Sequence, residues 1–202
     1  MIVFLNYLKN YLNSLKILFL GSDSKFQKRL INFLIDDGNF VMHLDKKINS
    51  SLFKKYNFDF LISYGYRFII DKYVINHFGD RAINLHISYL PWNRGADPNL
   101  WSFVDDTPKG VSIHIIDEGI DTGPIIFQEK IVFDKNDTLK TSYEKLQNKI
   151  SDLFMQKWVK IKSSDFLIKE QCHNGSYHKS SDKNKITHLI KYGWDTMIQD
   201  LK

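Results

Sequence analysis

The sequence predicts an α/β fold: an open, mostly parallel sheet with helices on both faces, followed by a short C-terminal appendage. Short apolar runs bounded by glycine or polar turns alternate with segments of helical period, the pattern of strand–helix units. Several runs are apolar throughout, as in Lys16-Ile-Leu-Phe-Leu-Gly21, which suits strands covered on both faces. At 202 residues and 43% hydrophobic, the chain can bury one good core, and a second domain of ordinary size does not fit. A main body over 1–162, with an N-terminal extension over 1–15, and an appendage over 163–202 are expected.

Taken in order, Lys16–Gly21 reads as a buried strand ending in a turn. From Ser24 to Asp37 the period becomes helical, with Phe26, Leu30, Phe33 and Leu34 on one face and Gly38 as the stop. Asn39–Asp45 is a second strand, Ser50–Tyr56 a brief helix and Phe58–Tyr64 a third strand. Asp71 is placed to cap a helix to Phe78. Next come the strand Ala82–Ser88, a helix after Asp97-Pro98, and strands Val111–Ile116 and Ile125–Phe133. A long amphipathic helix from Thr138 to about Lys162 buries Leu139, Tyr143, Leu146, Ile150, Leu153, Phe154 and Trp158. The tail beyond Ser163 is polar and closes on the apolar pieces Ile186–Ile190 and Tyr192–Ile198.

A net charge of +5 and a pI near 9.1 come from scattered lysines, so nucleic-acid binding is not expected. The one cysteine, Cys172, cannot form an internal disulfide and fits a cytoplasmic protein with an inert thiol. No apolar run reaches the ~18 residues needed to cross a bilayer, so no membrane insertion is expected. Met1–Leu15 is apolar but broken by Asn6, Lys9, Asn10 and Asn13, and it lacks a basic start and a cleavage site. It reads as an amphipathic helix packing on the body or on a second subunit. Seven histidines show no metal-ligand spacing; His43, His77, His114, His173 and His188 read as structural or surface residues, and no metal is expected.

The chemistry concentrates between Ala82 and Gly123. Asn84 and His86 sit two apart in a strand, so their side chains leave one face. A second strand then leads to Asp121 in the glycine-flanked loop Glu-Gly-Ile-Asp-Thr-Gly. An amide, an imidazole and a carboxylate suit acyl transfer to an amine: a hydrogen-bond donor for a developing oxyanion, a base, and a group that orients or strengthens the base. Strand ends at Tyr64-Gly65-Tyr66, Ser88–Gly95 and Asp117–Gly123 can share one mouth, where ligands settle in open α/β sheets.

The elements Asn84-Leu-His86, Ser88-Tyr-Leu-Pro91, Arg94-Gly95, Pro98, Asp117-Glu-Gly-Ile-Asp121-Thr-Gly and Asp137-Thr-Leu together resemble the 10-formyltetrahydrofolate-dependent formyltransferase family. The resemblance covers roughly Lys16 to Trp158 and implies that family's Rossmann-like fold. It implies a formyl donor, 10-formyltetrahydrofolate, with Asn84, His86 and Asp121 as the catalytic residues. Asn84 would donate to the oxyanion, His86 would take the amine proton, and Asp121 would hold His86 or pass protons to the folate nitrogen. Gly65, Tyr66, Arg67, Phe68 and Ile69 would receive the pterin through their main chain, with Asp117 and Gly119 in the opposite wall. Tyr64, Trp92 and Arg94 would border the acceptor, Arg94 either anchoring a substrate phosphate or holding its own loop.

Gly175-Ser-Tyr-His178-Lys-Ser-Ser-Asp182 and Gly193-Trp-Asp195 look like the tail of nucleotide-linked sugar N-formyltransferases. That likeness implies an acceptor such as dTDP-4-amino-4,6-dideoxyglucose, a role in surface polysaccharide (O-antigen) synthesis, and a homodimer. Tyr177 or Trp194 could stack on the base. About forty residues follow Lys162, fewer than the extra domain of the tRNA-specific members. Gly21-Ser-Asp-Ser24 lacks the phosphate-binding Gly-Ser-Asn turn of the glycinamide ribonucleotide type. A formyltetrahydrofolate hydrolase or a glycinamide ribonucleotide-type formyltransferase remains the alternative, with a non-catalytic folate or nucleotide-sugar binding module ranked below both.

Overall fold

The computed structural model describes residues 14–49, 52, 55–172 and 174–201. Nearly all of the N-terminal extension, and residues 50, 51, 53 and 54 of the expected Ser50–Tyr56 helix, lie outside the described residues. The chain divides into two units, one ending at Ile83 and one beginning at Asn84.

In the first unit, strand β1 (Lys16–Gly21) runs parallel to β2 (Phe40–Leu44) and to β3 (Phe60–Tyr64). Ile17, Leu18, Phe19 and Leu20 are all fully buried, which explains the unbroken apolar run: a strand covered on both faces has no wet side. Helix α1 (Lys25–Asp36) starts at Ser24, whose hydroxyl accepts from the Phe26 N–H at 3.2 Å. It buries Phe26, Gln27, Leu30 and Leu34, and the Gln27 amide donates to the Tyr64 carbonyl at 3.0 Å. A polar residue on the buried face thus ties α1 to the end of β3. Helix α2 (Lys72–Phe78) follows Asp71, but that side chain makes no capping hydrogen bond. The first turn is closed instead by the Asp71 carbonyl, which accepts from Val74 N–H at 2.9 Å.

Strand β4 (Ala82–His86) spans the boundary between the units. The sheet has six strands in the order β2-β1-β3-β4-β6-β7, where β6 is Gly110–Ile115 and β7 is Ile125–Lys130. β7 is antiparallel to β6, with a register shift at Ile113/His114, and ends at Lys130 short of the expected Phe133.

Helices α3 (Pro98–Val104) and α4 (Leu139–Lys162) belong to the second unit. α4 opens with reciprocal bonds between Thr138 and Thr141, side chain to main chain in each direction. Its buried stripe includes Leu146, Ile150, Leu153, Phe154, Trp158 and Ile161. Tyr143 is only half-buried and meets Trp194 edge to face, ring centroids 5.2 Å apart. The C-terminal residues are folded in by an apolar cluster of Leu100, Phe103, Leu139, Ile198 and Leu201. Beyond Ser163 the regular pieces are 3₁₀ turns over Ser180–Leu189, Gly193–Asp195 and Ile198–Leu201. The two-residue strand β5 (Arg94–Gly95) pairs in parallel with β8 (Tyr177–His178).

Candidate active site

The second unit brings Asn84, His86 and Asp121 together. Asn84 and His86 leave β4 on one face because strand side chains alternate. Asp121 comes from the loop after β6, with a left-handed φ of 55°. Its Oδ1 accepts from Asn84 Nδ2 at 3.0 Å, and its Oδ2 lies 3.5 Å from His86 Nδ1. Oδ2 also accepts from the Gly95 N–H at 2.8 Å.

His114 completes the cluster, and sequence reasoning missed it. It lies on β6 two residues after the buried Ser112, so both point to one face; that polar alternation in an apolar strand was the available signal. Its Nδ1 lies 2.8 Å from the Ile115 carbonyl, which can only accept, so Nδ1 carries the proton. Nε2 is then an acceptor, and Asn84 Nδ2 donates to it at 3.2 Å. Both Asn84 amide hydrogens therefore have partners, His114 and Asp121. The opposite amide orientation would set oxygen against carboxylate, so Asp121 fixes which way Asn84 points.

The His86 tautomer follows the same way. Nε2 is 3.0 Å from the Asn93 carbonyl and must donate to it, leaving the lone pair on Nδ1, beside Asp121. Burial pushes the His86 pKa below the ordinary imidazole value, against the nearby Asp121 charge, which raises it. The His86 imidazole is therefore neutral at pH 7. Burial alone would raise the Asp121 carboxyl, but the charge that His86 and His114 take on when protonated, together with the Gly95 N–H, prevails and holds it well below the usual carboxylate range. The arrangement is a lone pair with a carboxylate charge beside it, able to take a proton and stabilise the cation formed.

The loop carrying Asp121 is closed largely by its own side chains. Asp117 accepts from the Gly119 N–H at 3.1 Å and from the Thr122 hydroxyl at 2.7 and 2.9 Å. Gly123 is required by space: a Cβ there would sit 1.9 Å from the Ile115 carbonyl oxygen. Asp117 thus has a structural task in its own loop.

Other expected site residues are distributed as follows. The side chain of Tyr64 lies in the core at 1% exposure, which corrects the expectation that it borders the acceptor; its carbonyl is taken by Gln27. Gly65 adopts φ 64°, a conformation that favours glycine. The Tyr66 hydroxyl donates to the Lys46 carbonyl and accepts from the Ile48 N–H, while Phe68 and Ile69 are exposed. Arg67 shares that segment. Trp92 is half-buried, and its carbonyl accepts from the Ser88 hydroxyl at 2.7 Å. Arg94 donates through Nε and Nη2 to Gln171, an engagement that holds its loop. Tyr177 is exposed and lies against Gly95. Trp194 is exposed and lines a cavity of about 370 Å³ with Ile87, Asp97, Asn99, Tyr143 and Lys183. Among the described residues no three His, Cys, Asp or Glu side chains are arranged to hold a metal, and no helix is long and apolar enough to cross a membrane.

Six strands, mostly parallel, carry this polar cluster at the edge of β4 and β6, the architecture of an open α/β sheet. Residues 20–157 match the family described as formyl transferase, and the chain belongs to that family. It is similar to a crystal structure of the formyltransferase PseJ from Anoxybacillus kamchatkensis, solved with UDP-4,6-dideoxy-4-formamido-L-AltNAc and tetrahydrofolate. That likeness is 49% identity and a TM-score of 0.87, over 92% of this chain and 97% of the other. Among curated proteins, it is 36% identical over 67% of its length to a methionyl-tRNA formyltransferase of Wolbachia sp. subsp. Drosophila simulans, covering 47% of that protein. It is 29% identical over 55% of its length to the dTDP-4-amino-4,6-dideoxyglucose formyltransferase of Mycobacterium bovis, again covering 47%. The chain thus spans about half the length of these curated relatives.

Proposed function

We propose that this chain transfers a formyl group from 10-formyltetrahydrofolate to the 4-amino group of a nucleotide-linked 4,6-dideoxy sugar. The observation that carries the reading is the 49% identity to PseJ over almost the full length of both chains, that structure holding tetrahydrofolate and a formamido sugar on UDP. A uridine diphosphate carrier is therefore the leading choice. The dTDP-linked sugar suggested by the tail is a second reading, supported by the mycobacterial relative.

The folate supplies a carbon at the formyl level bound to nitrogen. The Gly65–Ile69 segment suits a flat ligand, since Gly65 offers no side chain and Phe68 and Ile69 stand 43% and 78% exposed. The residues of the second unit divide the remaining work. His86 Nδ1 takes the proton of the amine as its nitrogen bonds to the formyl carbon, and Asp121 stabilises the imidazolium. Asn84 turns one amide hydrogen from His114 or Asp121 to the formyl oxygen as charge gathers there. The proton on His86 goes to the folate nitrogen as its bond to carbon breaks. The cavity lined by Trp194, Asp97 and Lys183 begins one residue beyond His86, at Ile87, and is of ligand size. We place the nucleotide half of the acceptor there.

The test is incubation with 10-formyltetrahydrofolate and either UDP- or dTDP-linked 4-amino-4,6-dideoxy sugars, followed by mass spectrometry and free-folate assay. Formyl mass gained on a UDP sugar supports the proposal, and gain on the dTDP sugar alone supports the second reading. Folate release without an amine would mean a hydrolase, and binding without turnover a non-catalytic module.

A further inference from the structure

We infer that Gln171 is a positioning residue of this site: its side-chain amide sets the 121–123 main chain and so places the Asp121 carboxylate beside His86. Asp121 holds a left-handed φ of 55°, uncommon for a non-glycine residue though less so for Asp, and a conformation that hydrogen bonds to its main chain help to hold. Beside the bonds internal to the loop, one side chain from outside it grips this main chain. Gln171 Nε2 donates to the Asp121 carbonyl at 2.9 Å and to the Gly123 carbonyl at 2.7 Å, using both amide hydrogens. Its Oε1 accepts from Arg94 Nε at 3.0 Å and Nη2 at 2.8 Å.

These bonds form a closed circuit. Arg94 precedes Gly95, whose N–H donates to Asp121 Oδ2 at 2.8 Å. Gln171 therefore holds Asp121 from behind through its carbonyl and from in front through the Arg94–Gly95 strand. It is itself held from both sides. Lys169 exchanges backbone hydrogen bonds with Ile125 at 2.8 and 2.9 Å, and the Ser176 carbonyl accepts from Arg94 N–H at 3.0 Å.

Only a glutamine head fits these demands. It must give two hydrogens and accept two at once; glutamate gives none, and lysine or arginine accepts none. Asparagine has the right head on a stem one methylene shorter. Gln171 also lies beyond residues 20–157, so the family match does not assign it.

The kinetic arm of the test rests on the formyl-transfer reading; the structural arm does not. Gln171→Glu keeps the acceptor for Arg94 and loses both donors, whereas Gln171→Met keeps the length and loses all four bonds. With Asp121 displaced by about 1 Å, kcat falls by up to about 10²-fold in both variants, while KM for donor and acceptor stays within about twofold. In crystals of Gln171→Met, Asp121 Oδ2 lies farther than 3.5 Å from His86 Nδ1. The acid limb of its kcat/KM profile moves to lower pH, because the charge that raises the His86 pKa has withdrawn.

Full kcat in Gln171→Glu would overturn the inference, since Arg94 anchoring would then suffice. So would an Asp121–His86 distance unchanged in the Gln171→Met crystals. If the native protein shows no turnover, the proposed function fails, and that distance still decides the role of Gln171.

Discussion

Replacing Asp121 by asparagine preserves shape and removes one charge, which makes its effect calculable. In the native site the carboxylate accepts from Asn84 Nδ2 at 3.0 Å and from Gly95 N–H at 2.8 Å, one donor on each oxygen. An amide has one oxygen, so whichever way it turns, its NH₂ faces a donor and one buried group is left unmatched, at about 1–3 kcal/mol. The larger loss falls on the reaction. An imidazolium 3.5 Å from a carboxylate gains about 5 kcal/mol at an effective dielectric constant of about 20. At about 1.4 kcal/mol per factor of ten, removing that attraction lowers kcat by roughly 10³-fold. The assay is formyl transfer with Asp121→Asn protein verified as folded by circular dichroism, followed from about pH 5 to 8. Without Asp121 the His86 pKa falls further, so the acid limb of kcat/KM shifts to lower pH. A rate within about tenfold of native, or a limb displaced to higher pH, would refute the assignment of Asp121 as the partner of the base.

Three other outcomes are expected. His114→Ala removes the acceptor of one Asn84 hydrogen; a lost hydrogen bond of about 1 kcal/mol lowers kcat about fivefold, and an unchanged steady-state rate would exclude His114 from the working site. Gly123→Ala forces a Cβ to within 1.9 Å of the Ile115 carbonyl and destabilises by about 1–3 kcal/mol or more, read as a lower midpoint in urea; an unchanged midpoint would contradict the loop geometry. The third concerns pH. The folded His86 pKa is depressed, so as pH falls below about 6.5 the unfolded chain takes up a proton that the native site refuses. The contribution of His86 is fully present above that pH and declines by up to about 1.4 kcal/mol per unit until the folded pKa is reached. Urea unfolding at pH 7, 6 and 5 measures the slope, and His86→Gln should flatten it; equal slopes would count against a buried neutral imidazole.

What the amino-acid order determines here is local. Ile17–Leu20 reads as a doubly covered strand, Leu146–Trp158 as a buried helical stripe, and Asn84 and His86 as neighbours on one face, because side-chain direction follows backbone period. The loop around Asp121 was visible too, since glycines on both sides of a carboxylate mark a tight turn. Tertiary structure decided the rest. Tyr64 stands at a strand end yet turns inward, and Asp71 sits at a helix start without capping it. His114, isolated in sequence, and Gln171, fifty residues past Asp121, reach the site through the pairing of β4 with β6 and the return of the chain past β7. Periodicity tells a residue which face to show. Which distant donors and acceptors meet at that face depends on where strands pair and loops return, and no local pattern carries that information.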